Sequence, residues 1–180
     1  MENKNQLAVS DATFLKMRTA SDAQAFFDLV DADRAELRKW LPWVDATKSP
    51  SDTAKYIEQC AREFEARESA DFGIWHDNQW VGSIGYHRLD HVNHSGSIGY
   101  WLGAEFQGKG IITECVKTLI AYGFEELHFN RIEIRCSTEN EKSAAVPKRL
   151  NFTFEGIARQ NAYINGKYIN SYVFSLLKSD

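Results

Sequence analysis

Gln107-Gly108-Lys109-Gly110-Ile111-Ile112-Thr113 lies between two segments of different period. Before it runs Ile98-Gly99-Tyr100-Trp101-Leu102, a short apolar run that reads as a buried strand. After it Ile112, Cys115, Val116, Leu119, Ile120 and Leu127 recur at spacings of three, four and seven, the period of a helix. The two glycines therefore fall where a strand ends and a helix begins. Backbone N–H groups there have no intrahelical partner, and the helix dipole favours negative charge. Glycine lets an anion approach the backbone closely. The stretch is read as a pyrophosphate cradle. A P-loop needs Ser or Thr directly after its Gly-Lys pair, and Gly110 follows Lys109 here. A dinucleotide fingerprint needs a third glycine where Thr113 stands, and a βαβ unit around it. A glycine-rich turn that holds no ligand is the bland alternative, and the motif alone leaves it open.

The whole chain bounds the answer. At 180 residues, with 43% apolar and 26% charged residues, it is expected to be one domain spanning 1–180. Residues 1–12 are polar and expected to be flexible. A chain of this size buries roughly 70% of the surface it exposes when unfolded. No apolar run reaches the length of a membrane span and no signal-peptide pattern is visible, so a soluble, cytoplasmic protein with no membrane partner is expected. Cys60, Cys115 and Cys136 are odd in number and widely spaced, and read as reduced core thiols. The net charge of −4 argues against direct nucleic-acid binding. A polyanionic cofactor would be held by local amides and Lys109, not by a global field.

Hydrophobic period and turn residues predict strands over 13–18, 71–76, 80–89, 95–102 and 131–136, with two more flanking Asn165-Gly166. Helices are predicted from Ser21 or Asp22 to about Asp33, then a short one through Trp40 that Pro42 stops. Others run from Ser51 or Asp52 to about Glu68, from Gly110 to about Leu127, and over Asn140–Leu150. The order β-α-α-α-β-β-β-α-β-α-β-β predicts an α/β (α+β) fold. Its seven-stranded sheet would be mixed and mostly antiparallel, with helices on both faces.

Four segments carry a family resemblance. Leu37-Arg38-Lys39-Trp40-Leu41-Pro42-Trp43, Ile98–Thr113, Asn140-Glu141-Lys142-Ser143, and Tyr163-Ile164-Asn165-Gly166 with Tyr172–Leu177 together resemble the GNAT superfamily of N-acetyltransferases. More narrowly they resemble its RimJ/RimL branch of ribosomal-protein N-terminal acetyltransferases. The resemblance implies the GNAT fold, with the sheet splayed at its centre. It implies acetyl-CoA as co-substrate, no metal, and direct transfer of acetyl to an amine in a ternary complex. The pyrophosphate would lie on Gln107, Gly108, Lys109, Gly110, Ile111 and Ile112. The family pattern ends in Gly or Ala where Ile112 stands. The backbone of Tyr100, Trp101 and Leu102 would pair with the pantetheine arm, and an N–H near Leu102 would face the thioester oxygen.

The same resemblance makes Asn140 a cofactor contact and Ser143 both a contact and the proton donor to the departing thiolate. Asn140 also reads as a plain helix cap, with Ser143 close to a capping box. Many superfamily members carry a tyrosine acid seven residues after this Asn, where this chain has Pro147. Pro147 also deprives the Ser143 carbonyl of its helical donor. Carboxylates that branch members carry before Tyr163 and at position 170 are replaced by Ala162 and Asn170. A water relay or His87 is then the candidate base, since imidazole titrates near neutrality. A sheet or turn histidine is the plainer reading of His87.

Trp40, Trp43, Tyr163 and Asn170 are expected along the acceptor groove; the tryptophans also suit core packing. His87, Asp90, His91 and His94 resemble a metal cluster on paper, but they fall across a turn with nothing to fix their spacing, and a solvated turn is preferred. The acceptor expected is the N-terminal α-amine of a ribosomal protein. The alternatives are a small amine, such as a polyamine or aminoglycoside, or a GNAT domain that binds acyl-CoA without catalysis. A homodimer is compatible with all of these.

Overall fold

The computed structural model describes residues 6–180. The strands are β1 (Gln6–Ala8), β2 (Thr13–Lys16), β3 (Ala70–His76), β4 (Gln79–Asp90), β5 (Ser95–Leu102), β6 (Arg131–Ser137), β7 (Thr153–Ile164) and β8 (Lys167–Leu177). The helices are α1 (Ala23–Ala32), α2 (Arg34–Leu37), α3 (Pro50–Glu65), α4 (Ile111–Glu125) and α5 (Glu141–Arg149). Pro42, expected only to stop a helix, opens a 3-10 turn over Pro42–Asp45.

The strands form one sheet in the order β1-β2-β3-β4-β5-β6-β8-β7. Eight strands replace the seven expected. The addition is β1, which pairs with β2 from Gln6↔Lys16 to Ala8↔Phe14. It lies in the segment expected to be flexible, and residues 1–5 of that segment lie outside the described residues. Three residues, none fully buried, carry no readable alternation, so only the pairing reveals the strand.

Every neighbouring pair is antiparallel except β5 with β6. Their parallel pairing runs from Ser95↔Arg131 to Ile98↔Ile134 and stops. Beyond it β5 stays with β4 as far as Gly82↔Leu102, while β6 stays with β8 as far as Ser137↔Ser171. A wedge therefore opens at the centre of the sheet.

Side chains alternate across this sheet, and each face buries its own apolar set. On one face Ile98, Leu102, Ile132 and Ile134 pack beneath α4, which presents Ile111, Cys115, Val116 and Leu119. The Tyr86 hydroxyl ties the sheet to α4 through the Leu119 carbonyl at 2.8 Å. On the other face Trp75 and Trp80 pack beneath α1, which presents Phe26 and Val30, and α3, which presents Ile57. The three cysteines are free and buried. Asn151, after α5, adopts φ 58°, the left-handed conformation that asparagine tolerates at a helix end. No helix among the described residues is long and apolar enough to cross a membrane.

Candidate active site

The strand-to-helix corner is built as an open anion cradle. Gly108 and Gly110 take φ of 77° and 81°, and Gly110 stands at the N-cap of α4 without a side-chain cap. Among the described residues, the N–H groups of residues 108–113 find no protein acceptor. A Cβ at Gly108 or Gly110 would meet no atom within 4 Å. Unpaired amides, a helix dipole and free space on one corner fit a pyrophosphate. The Ile112 side chain packs against the core, so its departure from the family pattern leaves the cradle open. Gln107 fixes the loop: its Nε2 donates to the Leu102 carbonyl at 3.1 Å, and its Oε1 accepts from Lys142 Nζ of α5 at 3.1 Å. Lys109 leans back over the Phe106 ring at 5.3 Å.

Three groups meet where the wedge opens towards α5. The Asn140 side chain caps α5 by accepting from the Ser143 N–H at 3.1 Å. Pro147 sits inside α5 and supplies no N–H to the Ser143 carbonyl. The Tyr100 hydroxyl, arriving from β5, donates to that carbonyl at 3.0 Å. In return the Ser143 hydroxyl donates to the Tyr100 oxygen at 3.3 Å. Burial pushes the Tyr100 phenol well above its ordinary range, so it stays a neutral donor. Cys136, on the opposite lip of the wedge, is buried beside Ser143, and burial raises its thiol as well.

The other side of β5 looks towards α1 and α3. His87 pairs across with Ser97, and Ser97 with Glu133, so these three share one row of that face. Gly99 is the first β5 residue past the parallel pairing. A Cβ there would meet His87 Cδ2 at 2.9 Å and Nε2 at 3.1 Å, so the exposed imidazole brings its Cδ2–Nε2 edge over Gly99 at the mouth of the wedge.

Two carboxylates share this face with the imidazole, Asp71 beside it and Glu133 beyond Ser97, and both are committed. Asp71 is buried and accepts from Arg18 at 2.5 Å and from the Tyr56 hydroxyl at 2.7 Å. Burial opposes its ionisation, but the Arg18 guanidinium, with His87 and Tyr56, outweighs burial and holds it below the usual carboxylate range. Glu133 accepts from Arg131 at 3.0 Å and from Arg135 at 2.6 Å, and these pairs likewise overcome burial to depress it.

An aromatic wall closes this side. Trp43 packs on Phe26 at 6.2 Å and on Trp101 at 5.8 Å between ring centroids. Trp40 is half-buried just before it. The Asn165 side chain at the β7–β8 turn donates to the Arg38 carbonyl at 2.9 Å. That bond joins the hairpin of the exposed, mutually tilted pair Tyr163 and Tyr168 to the segment that carries Trp40. Asn170 is already engaged: its Oδ1 accepts from the Gln160 N–H at 2.8 Å and braces a bulge in β7.

The structure thus gathers Tyr100, Asn140 and Ser143 on one side of the wedge and His87, Trp101 and Trp43 on the other. The Gln107–Ile112 loop lies beyond the end of β5. The suggested metal cluster does not assemble. Asp90 accepts from Val92 and Asn93, His91 meets the Arg67 carbonyl, and no metal-binding set of three groups forms among the described residues. Sequence reading missed the Arg18–Asp71 pair, whose members stand 53 positions apart with no motif to join them. It also missed Glu133. The orphaned Ser143 carbonyl was a signal for the Tyr100 contact, though not for which donor would fill it.

Residues 13–153 match the family described as Acetyltransferase (GNAT) domain. The putative ribosomal N-acetyltransferase YdaF of Bacillus subtilis (strain 168) is 37% identical over 174 residues, 96% of this chain and 94% of the relative. The Microcin C7 self-immunity acetyltransferase MccE, solved with acetyl-CoA and AMP, superposes with a TM-score of 0.93 at 28% identity, covering 97% of both chains. RimL, the ribosomal L7/L12 alpha-N-protein acetyltransferase solved with coenzyme A, superposes with a TM-score of 0.92 at 27% identity, covering 96% of this chain and 97% of RimL.

Proposed function

The chain belongs to the acetyltransferase (GNAT) domain family and is an acetyl-CoA-dependent N-acetyltransferase, and we propose that its acceptor is the N-terminal α-amine of a ribosomal protein. The observation that carries this reading is the state of the carboxylates beside the wedge. Asp71 and Glu133 are each held ionised by arginine, and neither is a ready proton acceptor. His87 is the group left free to serve. A weak base suits an amine that is already partly neutral at working pH, and an α-amine meets that condition where lysine does not. The names of YdaF and RimL supply the protein class.

Acetyl-CoA supplies the acetyl group as an activated thioester. In our reading the residue 108–113 amides hold its pyrophosphate. The open edge of β5 over Tyr100–Leu102 offers unpaired backbone groups to the pantetheine arm, and an N–H near Leu102 faces the carbonyl oxygen, where negative charge develops. His87 takes the proton of the attacking amine from the α1–α3 side. The Ser143 hydroxyl, whose single proton rests on the Tyr100 oxygen in the free protein, would turn that proton to the sulfur that departs on the α5 side. Trp40, Trp43 and Tyr163 form the wall along which the acceptor lies.

The test is direct. Peptides with ribosomal-protein N-termini, spermidine and an aminoglycoside are each incubated with the protein and acetyl-CoA, and products are weighed by mass spectrometry. The expected outcome is one added acetyl on the peptide α-amine. Acetylation of the small amines alone overturns the acceptor assignment.

A further inference from the structure

Pro147 stands where many members of the superfamily place a tyrosine acid, and a different tyrosine reaches the same helix from the sheet. The Tyr100 hydroxyl makes two bonds to one residue. It donates to the Ser143 carbonyl and accepts from the Ser143 hydroxyl, at 3.0 and 3.3 Å. The first bond satisfies the carbonyl that Pro147 orphans. The second has a different consequence. A serine within a helix can instead fold its hydroxyl back onto a carbonyl of the preceding turn. Ser143 does not: its proton is drawn across the wedge to β5, and its oxygen is held at the opening, beside Cys136.

We infer that Tyr100 is a positioning residue for acetyl transfer, acting through its side chain to hold the Ser143 hydroxyl at the wedge until the departing sulfur takes over its proton. This inference rests on the reading of Ser143 as the group that meets the departing sulfur. It adds a side-chain role to a residue otherwise credited only with its backbone. Tyr100 is held by the strand that borders the wedge, whereas Ser143 sits on a nine-residue helix with a proline inside it. The phenol passes the rigidity of the sheet to the hydroxyl. Because burial keeps the phenol neutral, the clamp holds across the working pH range.

Four variants test this: Tyr100→Phe, Ser143→Ala, the pair together, and Tyr100→Phe with Pro147→Ala. Each is assayed for kcat, for the KM of acetyl-CoA and for Tm. Tyr100→Phe should lower kcat about tenfold, a modest share of what acid–base groups contribute, with little change in KM. In the Ser143→Ala background it should lower kcat no further. Pro147→Ala returns an N–H to the Ser143 carbonyl but nothing to its hydroxyl. It should therefore restore the Tm lost in Tyr100→Phe and leave kcat low. Recovery of kcat along with Tm would show that Tyr100 only satisfies the carbonyl, and would overturn the inference. Equal losses from Tyr100→Phe with and without Ser143 would also overturn it, leaving the Ser143 reading intact. Full kcat in Ser143→Ala would instead remove that reading, and the inference with it.

Discussion

Ser143 is held at three atoms: its N–H by Asn140, and its carbonyl and hydroxyl by Tyr100. A helix cap and the proposed proton donor need not compete, because the cap uses the Ser143 backbone N–H and leaves the hydroxyl to Tyr100 at the wedge. Ser143→Ala should keep the cap and lose the donor. We expect kcat to fall about tenfold or more while the KM of acetyl-CoA changes less, since a proton donor acts in the transition state. A change confined to KM would make Ser143 a binding residue. Asp71 carries a different kind of prediction. Arg18 holds its carboxylate ionised in a fully buried pair, so its folded pKa lies below the unfolded value of about 3.9. The stabilisation is present above that unfolded value and is lost as pH falls through the folded one. Asp71→Asn leaves the Arg18 charge without its partner and should cost about 3–5 kcal/mol near neutrality. The variant should also lose the steep part of the acid dependence, as read from urea midpoints at a series of pH values. An unchanged acid profile would show that other carboxylates carry it.

At the scale of elements, the α4 N-terminus does its work because nothing caps it. Its unpaired amides are a cost in the free protein that a pyrophosphate bound there, as we propose, would recover. Gly110→Val forces a β-branched residue to φ 81° and puts methyl groups on the open corner. Loss of at least about 2 kcal/mol of coenzyme A affinity is expected by calorimetry, comparable to leaving a buried donor unsatisfied. Unchanged affinity in a folded variant would move the pyrophosphate elsewhere. This corner was legible in the sequence because strand, glycines and helix are contiguous there. β5 ends where its apolar run ends, and the Asn165-Gly166 hairpin was equally plain. What was not legible depends on register between distant segments. The seat of His87 over Gly99 follows from the β4–β5 pairing, and the Tyr100–Ser143 bonds span 43 positions. β1 carries too little pattern to be read at all. Asn170 was credited to the acceptor groove because of its place in a family pattern, whereas its amide braces a bulge that only strand pairing reveals.

Across the whole molecule, one sheet separates two chemistries. The α4–α5 face holds the open cradle and the Ser143 clamp, the α1–α3 face holds His87 and the aromatic wall, and the wedge between β5 and β6 joins them. A net charge of −4 gives no broad attraction for the cofactor, so the proposed binding mode relies on local amides. The acceptor side depends on the weakness of its base. An α-amine has a pKa of about 8 and lysine about 10.4. Near pH 7.5 the neutral form therefore costs about 0.7 kcal/mol for the first and about 4 kcal/mol for the second, at about 1.36 kcal/mol per pKa unit. A free carboxylate beside the amine could accept the second proton, but Asp71 and Glu133 are bound to arginines, and Ala162 and Asn170 supply none. The rate should accordingly rise with pH to about 8 and level off as the acceptor titrates. A peptide with a free N-terminus and an internal lysine should be acetylated at its terminus. The same peptide with its terminus blocked should react slower by about two orders of magnitude, given the difference of roughly 3 kcal/mol. Equal rates on the blocked peptide's lysine and the free terminus would mean that a stronger base serves this site than His87.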